Sequence, residues 1–342
     1  MADADDQQLD TSAVDVAQLL EHVEAIILGG SRKYTPEEVS DHAGVDRDEA
    51  RRMWRALGFP TVGDQEVVFT DSDVGALRTM RELANLGLAD EEVRLAVARL
   101  FGQTFSRLAA HQGQLLLTQI NERPELLDSG PQLDELIGQV LPLLEELQNY
   151  TWRRQLAAYV ARMAAQGDAD VASGPARTVI GFADMSRFTA LTRKVSETEL
   201  RTLLDAFESL ATEVVGQHGG RIVKTIGDEV LFQADDPASA AEIALELLEG
   251  AAQHPELPEL RAGLALGPVV VRLGDVFGST VNIASRLTSL ARPGWVLIDR
   301  DLHAAIEHDP RFAFKSRRPE AVRGFHRLHS WRLMRGKPAD EH

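Results

Sequence analysis

The apolar residues of this 342-residue chain change their period near position 170, and that change limits the fold more than any other feature. Before it, apolar positions recur at three- and four-residue steps, the spacing of a helix with one buried face. After it, short β-branched runs alternate with helical stretches. The stretch between them, residues 167–176, reads Gly-Asp-Ala-Asp-Val-Ala-Ser-Gly-Pro-Ala and is rich in small and breaker residues. The expected organisation is a helical domain over 1–166, a linker over 167–176 and a second domain over 177–335.

In the first part, Thr35-Pro36-Glu37-Glu38 combines an N-cap, a first-turn proline and a capping-box glutamate, and Asp46 with Glu49 repeats the start. The two short helices, joined by Ala43-Gly44-Val45, read as a helix-turn-helix. Longer helices are expected at Val74–Leu86, Asp90–Asn121, Gln132–Leu147 and Thr151–Gln166. The last carries an apolar stripe of Trp152, Leu156, Tyr159, Val160 and Met163.

In the second part, strands are expected at Thr178–Phe182, Arg221–Thr225, Val230–Gln233, Ala262–Ala265, Val269–Val271 and Trp295–Ile298. A helix at Glu197–Gln217 opens with the capping box of Ser196 and Glu199. Strand, helix, hairpin, helix, strand is a βαββαβ order, an α+β sheet covered on one face by helices. The ends, residues 1–12 and 336–342, are expected to be disordered.

Charge is distributed unevenly. Residues 1–170 hold 15 Lys/Arg and 30 Asp/Glu, whereas 171–342 hold 21 and 23. The acidic half repels nucleic acid and anionic lipid, while the nearly neutral half can accept an anionic substrate at a local cationic site. The absence of cysteine excludes disulfides, thiolate zinc sites and a cysteine nucleophile. No apolar run is long enough for a membrane span and the start is acidic, so a cytoplasmic location is expected.

Two constellations can carry chemistry. Asp184 ends the first strand, and Asp228 sits in a hairpin turn, Ile226-Gly227-Asp228-Glu229. A hairpin beside a central strand can unite them, and two carboxylates can hold divalent ions against a triphosphate. Either Asp alone equally fits an ordinary strand end or Gly-Asp turn. On a helix over Thr280–Leu290, Asn282 and Arg286 are i and i+4, offering an amide and a guanidinium to a phosphoryl charge. They also fit an ordinary polar face.

Taken together, residues 178–189, 219–233 and 261–287 resemble the catalytic domain of class III nucleotidyl cyclases in motif, order and spacing. The motifs are Phe-x-Asp, Lys-x-x-Gly-Asp and Asp-x-x-Gly-x-x-Val-Asn-x-Ala-Ser-Arg. The resemblance implies a ferredoxin-like βαββαβ catalytic domain and conversion of ATP to 3′,5′-cyclic AMP and pyrophosphate. It makes Asp184, Met185 and Asp228 the positions for two Mg²⁺ or Mn²⁺ ions. Lys224 and Asp275 fall where the family selects adenine, Asn282 and Arg286 where it stabilises the transition state, and Arg261 and Arg323 where it contacts the triphosphate. Sites shared across a head-to-tail homodimer are implied. Arg187 departs from the pattern, standing where the family commonly has glycine, and the segment from Gly267 to Asp275 is shorter than in many members.

The helical part resembles, by architecture, the autoinhibitory domain of a few actinobacterial adenylyl cyclases, some responsive to pH and fatty acids. On that resemblance Leu115–Ile120 and Val140–Leu147 can line a lipid pocket or simply form core. The competing reading takes Tyr34–Gly87 as the DNA-binding fold of a MerR-type regulator, with the cyclase domain a degenerate nucleotide sensor. Residues 31–75 hold 6 basic and 10 acidic residues, so DNA is not an expected partner. No histidine among the ten is singled out as a pH sensor.

Overall fold

The computed structural model describes residues 16–122, 130–167, 177–272, 274–322 and 325–336. The expected linker beyond Gly167, most of both expected disordered ends, and Arg323 lie outside the described residues. By internal contacts the chain divides into two compact units, residues 1–163 and 164–342.

Among the described residues six helices come first: α1 (Val16–Ile27), α2 (Pro36–Ala43), α3 (Arg47–Ala56), α4 (Asp71–Asn85), α5 (Glu91–Glu122) and α6 (Gly130–Gly167). The start signals act as read. The Thr35 hydroxyl accepts from the Glu38 amide while the Glu38 carboxylate accepts from the Thr35 amide, and Asp46 accepts from the amides of Asp48 and Glu49. Val39, Ala43, Ala50, Phe69, Val74 and Leu77 form the core of α2, α3 and α4, with Trp54 stacked 5.6 Å from Phe69. The two helices expected at Gln132–Leu147 and Thr151–Gln166 are one helix of 38 residues. Nothing in Gln148-Asn149-Tyr150 breaks it, because the Asn149 side chain, a turn former elsewhere, accepts from Arg153 one turn on at 3.1 Å. Its stripe is exposed at Trp152, Leu156, Tyr159 and Val160.

The second unit runs β1 (Arg177–Met185), α7 (Phe188–Leu191), α8 (Glu197–Gln217), β2 (Arg221–Ile226), β3 (Glu229–Ala234), α9 (Pro237–Gln253) and β4 (Leu260–Pro268). It continues with β5 (Val270–Arg272), β6 (Asp275–Phe277), α10 (Ser279–Leu290), β7 (Val296–Ile298) and α11 (Arg300–Ile306). The last strands are β8 (Phe312–Ser316), β9 (Glu320–Val322), β10 (Phe325–Leu328) and β11 (Trp331–Arg335). Seven form one sheet in the order β2-β3-β1-β4-β7-β11-β8. Its first four strands have the ferredoxin-like arrangement, and β7 extends it in parallel with β4. The expected strand at Val269–Val271 belongs instead to a separate two-stranded hairpin, β5-β6.

Helices cover both faces of this sheet, not one. Along β1, Val179 and Ala183 meet Phe207 of α8 and Ile243 of α9, whereas Ile180 and Phe182 meet Ala284 of α10. Successive side chains of a strand point to opposite faces, so a strand apolar throughout demands a cover on each. Fully burying a side chain such as Phe207 contributes roughly 1.5–3 kcal/mol.

Close contact between α10 and β4 depends on Gly263. A Cβ there would lie 2.2 Å from the Thr288 amide nitrogen and 2.6 Å from the Ala284 carbonyl, both backbone atoms of α10. Gly263→Ala must therefore shift the helix, and overpacking of this kind costs about 1–3 kcal/mol. The expected result is that much loss in denaturant unfolding, together with loss of any function that depends on Asn282 and Arg286. Unchanged stability would mean that α10 is free to slide.

Candidate active site

The buried strand β1 delivers Asp184 to the edge of the core with 9% of its surface exposed. In register it faces Glu229 of β3 on one side and Arg261 of β4 on the other. The Arg261 guanidinium donates to Asp184 Oδ2 through Nε at 2.8 Å and Nη2 at 2.5 Å. Expected against a triphosphate, Arg261 is thus placed on the carboxylate itself.

Asp228 occupies the β2–β3 turn, and its carbonyl accepts from the Met185 amide at 2.9 Å. The hairpin thereby brings together Asp184, Met185 and Asp228. Burial, then the charge of and hydrogen bond with Asp184, push the Asp228 carboxyl above its ordinary range. Glu229, absent from the sequence-based candidates, is pushed up to about 7 by burial first and then by Asp184 and Asp228. Its position directly opposite Asp184 was implicit in the strand register. The Ser186 hydroxyl, also missed, is buried without a hydrogen-bond partner among the described residues. Arg187 follows with φ +64°, the one non-glycine in the left-handed region among the described residues, at the position where the resemblance leads one to expect glycine.

A second pair forms across the hairpins. Lys224 of β2 and Asp275 of β6, 51 positions apart, meet with Nζ 2.5 Å from Oδ2. Burial works against the Asp275 charge, but Lys224 and the Val276 amide hold its carboxyl below the usual range. On α10, Asn282 is exposed and Arg286 half-buried, and neither side chain makes a hydrogen bond or ion pair among the described residues. The i, i+4 spacing puts them on one face.

Three acids at the end of β1 face one arginine, and a buried hydroxyl beside them lacks a partner. Such an excess of hard oxygen donors fits a divalent cation of the Mg²⁺ or Mn²⁺ kind. Among the described residues these acids are not arranged as a cage that could hold a metal ion by protein groups alone. Two carboxylates with substrate oxygens and water filling the other positions is the usual arrangement for Mg²⁺.

Without a cation, Glu229 binds a proton in the fold at pH values where the unfolded chain has released it. Stability should therefore fall as pH rises from about 4.5 to about 7. Glu229→Gln should flatten that fall. Relative to the parent, the metal-free variant gains on the order of 1 kcal/mol between pH 5 and pH 8, discounted for solvent screening, read from denaturant midpoints. Parallel curves would show that Glu229 carries no such cost.

The family described as the Adenylate and Guanylate cyclase catalytic domain matches residues 173–335, and the Adenylate cyclase regulatory domain matches residues 7–157. The chain is similar to an adenylate cyclase of Streptomyces coelicolor, 46% identical over 278 residues, 81% of this chain and 72% of that protein. It is also similar to an adenylate cyclase of Glutamicibacter nicotianae, 37% identical over 332 residues, 93% of this chain and 82% of the other. A pH-sensitive adenylate cyclase of Mycobacterium tuberculosis is 34% identical over 312 residues, 87% of this chain and 77% of that one. With a cyclase catalytic domain, a cyclase regulatory domain and relatives alike over most of their length, this chain belongs to the class III adenylyl cyclases.

Proposed function

We propose that the chain converts ATP to 3′,5′-cyclic AMP and pyrophosphate in sites shared by two copies, under control of its helical part. The observation that carries the substrate assignment is the Lys224–Asp275 pair. Lys224 donates to adenine N1 while Asp275 accepts from the exocyclic amine, and guanine presents the opposite pattern at those edges.

In the reaction the ribose 3′-oxygen bonds to the α-phosphorus, the α–β bridging bond breaks, and the hydroxyl proton leaves. Asp184, Met185 and Asp228 would hold two Mg²⁺ or Mn²⁺ ions, which when bound acidify the 3′-hydroxyl and withdraw charge from the α-phosphoryl group. Asn282 orients the ribose, and Arg286 answers the charge that develops on the phosphoryl oxygens. Arg261 neutralises Asp184 in the resting chain and can turn its N–H donors to the triphosphate, a role that the family resemblance assigns to Arg323 as well. That Asn282 and Arg286 find no partner among the described residues of their own chain supports a head-to-tail homodimer in which they serve the opposite metal pair.

The regulator reading has no observation in its favour, since the helical part matches a cyclase regulatory domain. That part contains a cavity of about 420 Å³ between α5 and α6, lined by Leu115, Leu116, Ile137, Val140 and Leu144. An apolar lining of this kind suits the acyl chain of a fatty acid. Among the described residues no helix is long and apolar enough to cross a membrane.

Asp184→Asn and Arg286→Ala chains should each be inactive, and after subunit exchange their mixture should regain about a quarter of the parental cyclic AMP formation. A mixture that stays inactive would place each site within one chain. Deleting residues 1–165 should raise basal activity, and oleate or a drop in pH should alter the full-length rate more than the truncated one. Equal specific activities throughout pH 5.5–8, with and without oleate, would remove the regulatory role.

A further inference from the structure

Three arginines from three separate segments converge on Trp295, outside the residues assigned to catalysis. Their guanidinium carbons lie 4.3 Å (Arg332), 5.2 Å (Arg292) and 5.4 Å (Arg317) from the ring centroid. The sequence builds this arrangement rigidly. Arg292-Pro293-Gly294-Trp295 is a tight turn, with the Trp295 amide bonded to the Arg292 carbonyl at 3.0 Å and Gly294 at φ +72°. Proline second and glycine third are the residues that such a turn requires. The turn is tied to β4 through Gly294 N–H to the Leu260 carbonyl at 2.8 Å and Ala262 N–H to the Trp295 carbonyl at 3.0 Å. Arg332 comes from β11, where it stands in register with Lys315 of β8, so a fourth cation lies beside the three.

Charge here is not balanced by protein. One carboxylate answers the four cations, Glu320 on Arg317 at 2.7 Å. Arg292, Lys315 and Arg332 have no acidic partner among the described residues, and Arg332 Nε is buried without any hydrogen-bond partner. A guanidinium stacked on an indole spends its face and keeps its N–H donors in plane. Several donors aimed from a fixed frame, one of them desolvated, make a receptor for a compact multivalent oxyanion. Three guanidiniums already crowd this one ring, so recognition falls on the anion and not on a stacked base.

We propose that Trp295 and Arg292, Arg317 and Arg332, with Lys315, form a second binding site, separate in its residues from the catalytic set, for phosphoryl oxyanions. Free phosphate, pyrophosphate and the phosphate chain of a nucleotide share the chemistry that it reads. Fork-like guanidiniums match phosphoryl oxygens in pairs and favour a diphosphate over a single phosphate.

The site can be read locally. In full-length protein bearing Trp54→Phe, Trp152→Phe and Trp331→Phe, Trp295 is the remaining indole, and its emission reports this cluster alone. Without divalent cations and at low salt, pyrophosphate should change that emission saturably, and phosphate should do so at least tenfold less tightly. ATP and adenosine should separate, with ATP acting and adenosine silent. Arg332→Gln or Arg292→Gln should raise the half-saturating pyrophosphate concentration at least tenfold with the fold intact by circular dichroism. The proposal is overturned by an emission that pyrophosphate leaves unchanged, by equal responses to citrate and pyrophosphate, or by variants that respond like the parent. Because the readout is fluorescence, failure here leaves the cyclase reading intact, and loss of cyclase activity would leave this site standing.

Discussion

One arginine for three acids is the constraint around which the catalytic unit is organised. Arg261 is the guanidinium held against Asp184, while burial and the Asp184 charge raise the proton affinity of both Asp228 and Glu229. A nearly buried carboxylate left without a cation is costly, so the pair across β1 and β4 fixes the register of the two central strands as firmly as their apolar faces do. Among the described residues the remaining negative charge has no protein cation to answer it. A fold optimised only for stability would carry an apolar residue at one of these positions, and on the proposed reaction the retained repulsion would favour divalent cations there.

The same guanidinium reaches in a second direction. Arg261 Nη1 lies 3.5 Å from the Ser289 carbonyl, and Arg317 Nη1 lies 3.4 Å from the Leu290 carbonyl. Both carbonyls belong to the last turn of α10, where helical acceptors lack internal partners and where cations are favoured. Two arginines from either side therefore hold the end of the helix that carries Asn282 and Arg286. With Gly263 beneath it, the helix is located by backbone contact and by charge, both outside the reacting groups. A displacement of about 1 Å can cost on the order of 10²-fold in rate, so on the proposed reaction these contacts would serve as positioning elements.

Much of this was legible in the sequence because it is local. Capping boxes at Thr35 and Ser196 are decided within four residues, and both form as read. The βαββαβ order follows from local patterning, whereas Lys224 and Asp275 were legible as a pair only through the family resemblance, which assigns both to the base-selecting positions. What escaped was set by partners distant in the chain. The continuity of α6 depends on an i, i+4 contact that rescues a turn-forming asparagine, and the second helical cover on the sheet becomes evident only when β1 is seen to be apolar on both faces. Glu229 and Ser186 sit beside recognised motif positions, yet their significance depends on burial and not on spacing. Arg187 shows the converse, since a departure from a pattern was visible and its physical cost, a left-handed backbone without glycine, came from the fold.

The two parts of the chain differ in how much holds them in one arrangement. The catalytic unit has a large core running from Val179 to Leu333, with many side chains fully buried. The described core cluster of the helical part is six residues around Phe69, with a few buried apolar side chains such as Leu133 and Ile137 elsewhere, and its ion pairs, such as Arg32–Glu24 and Arg52–Glu91, are solvent-exposed and contribute little. Along α5 and α6, large apolar side chains including Phe101, Phe105, Leu143 and Leu147 remain exposed. Regions with few buried contacts reorganise at the lowest cost in free energy. A hundredfold change in turnover needs only about 2.7 kcal/mol, within reach of filling an apolar cavity or repacking one helix face. The proposed control of a well-packed catalytic unit by a loosely packed helical one would thus require no deformation of the sheet. It requires that the cheaper of two sets of contacts be the one that changes.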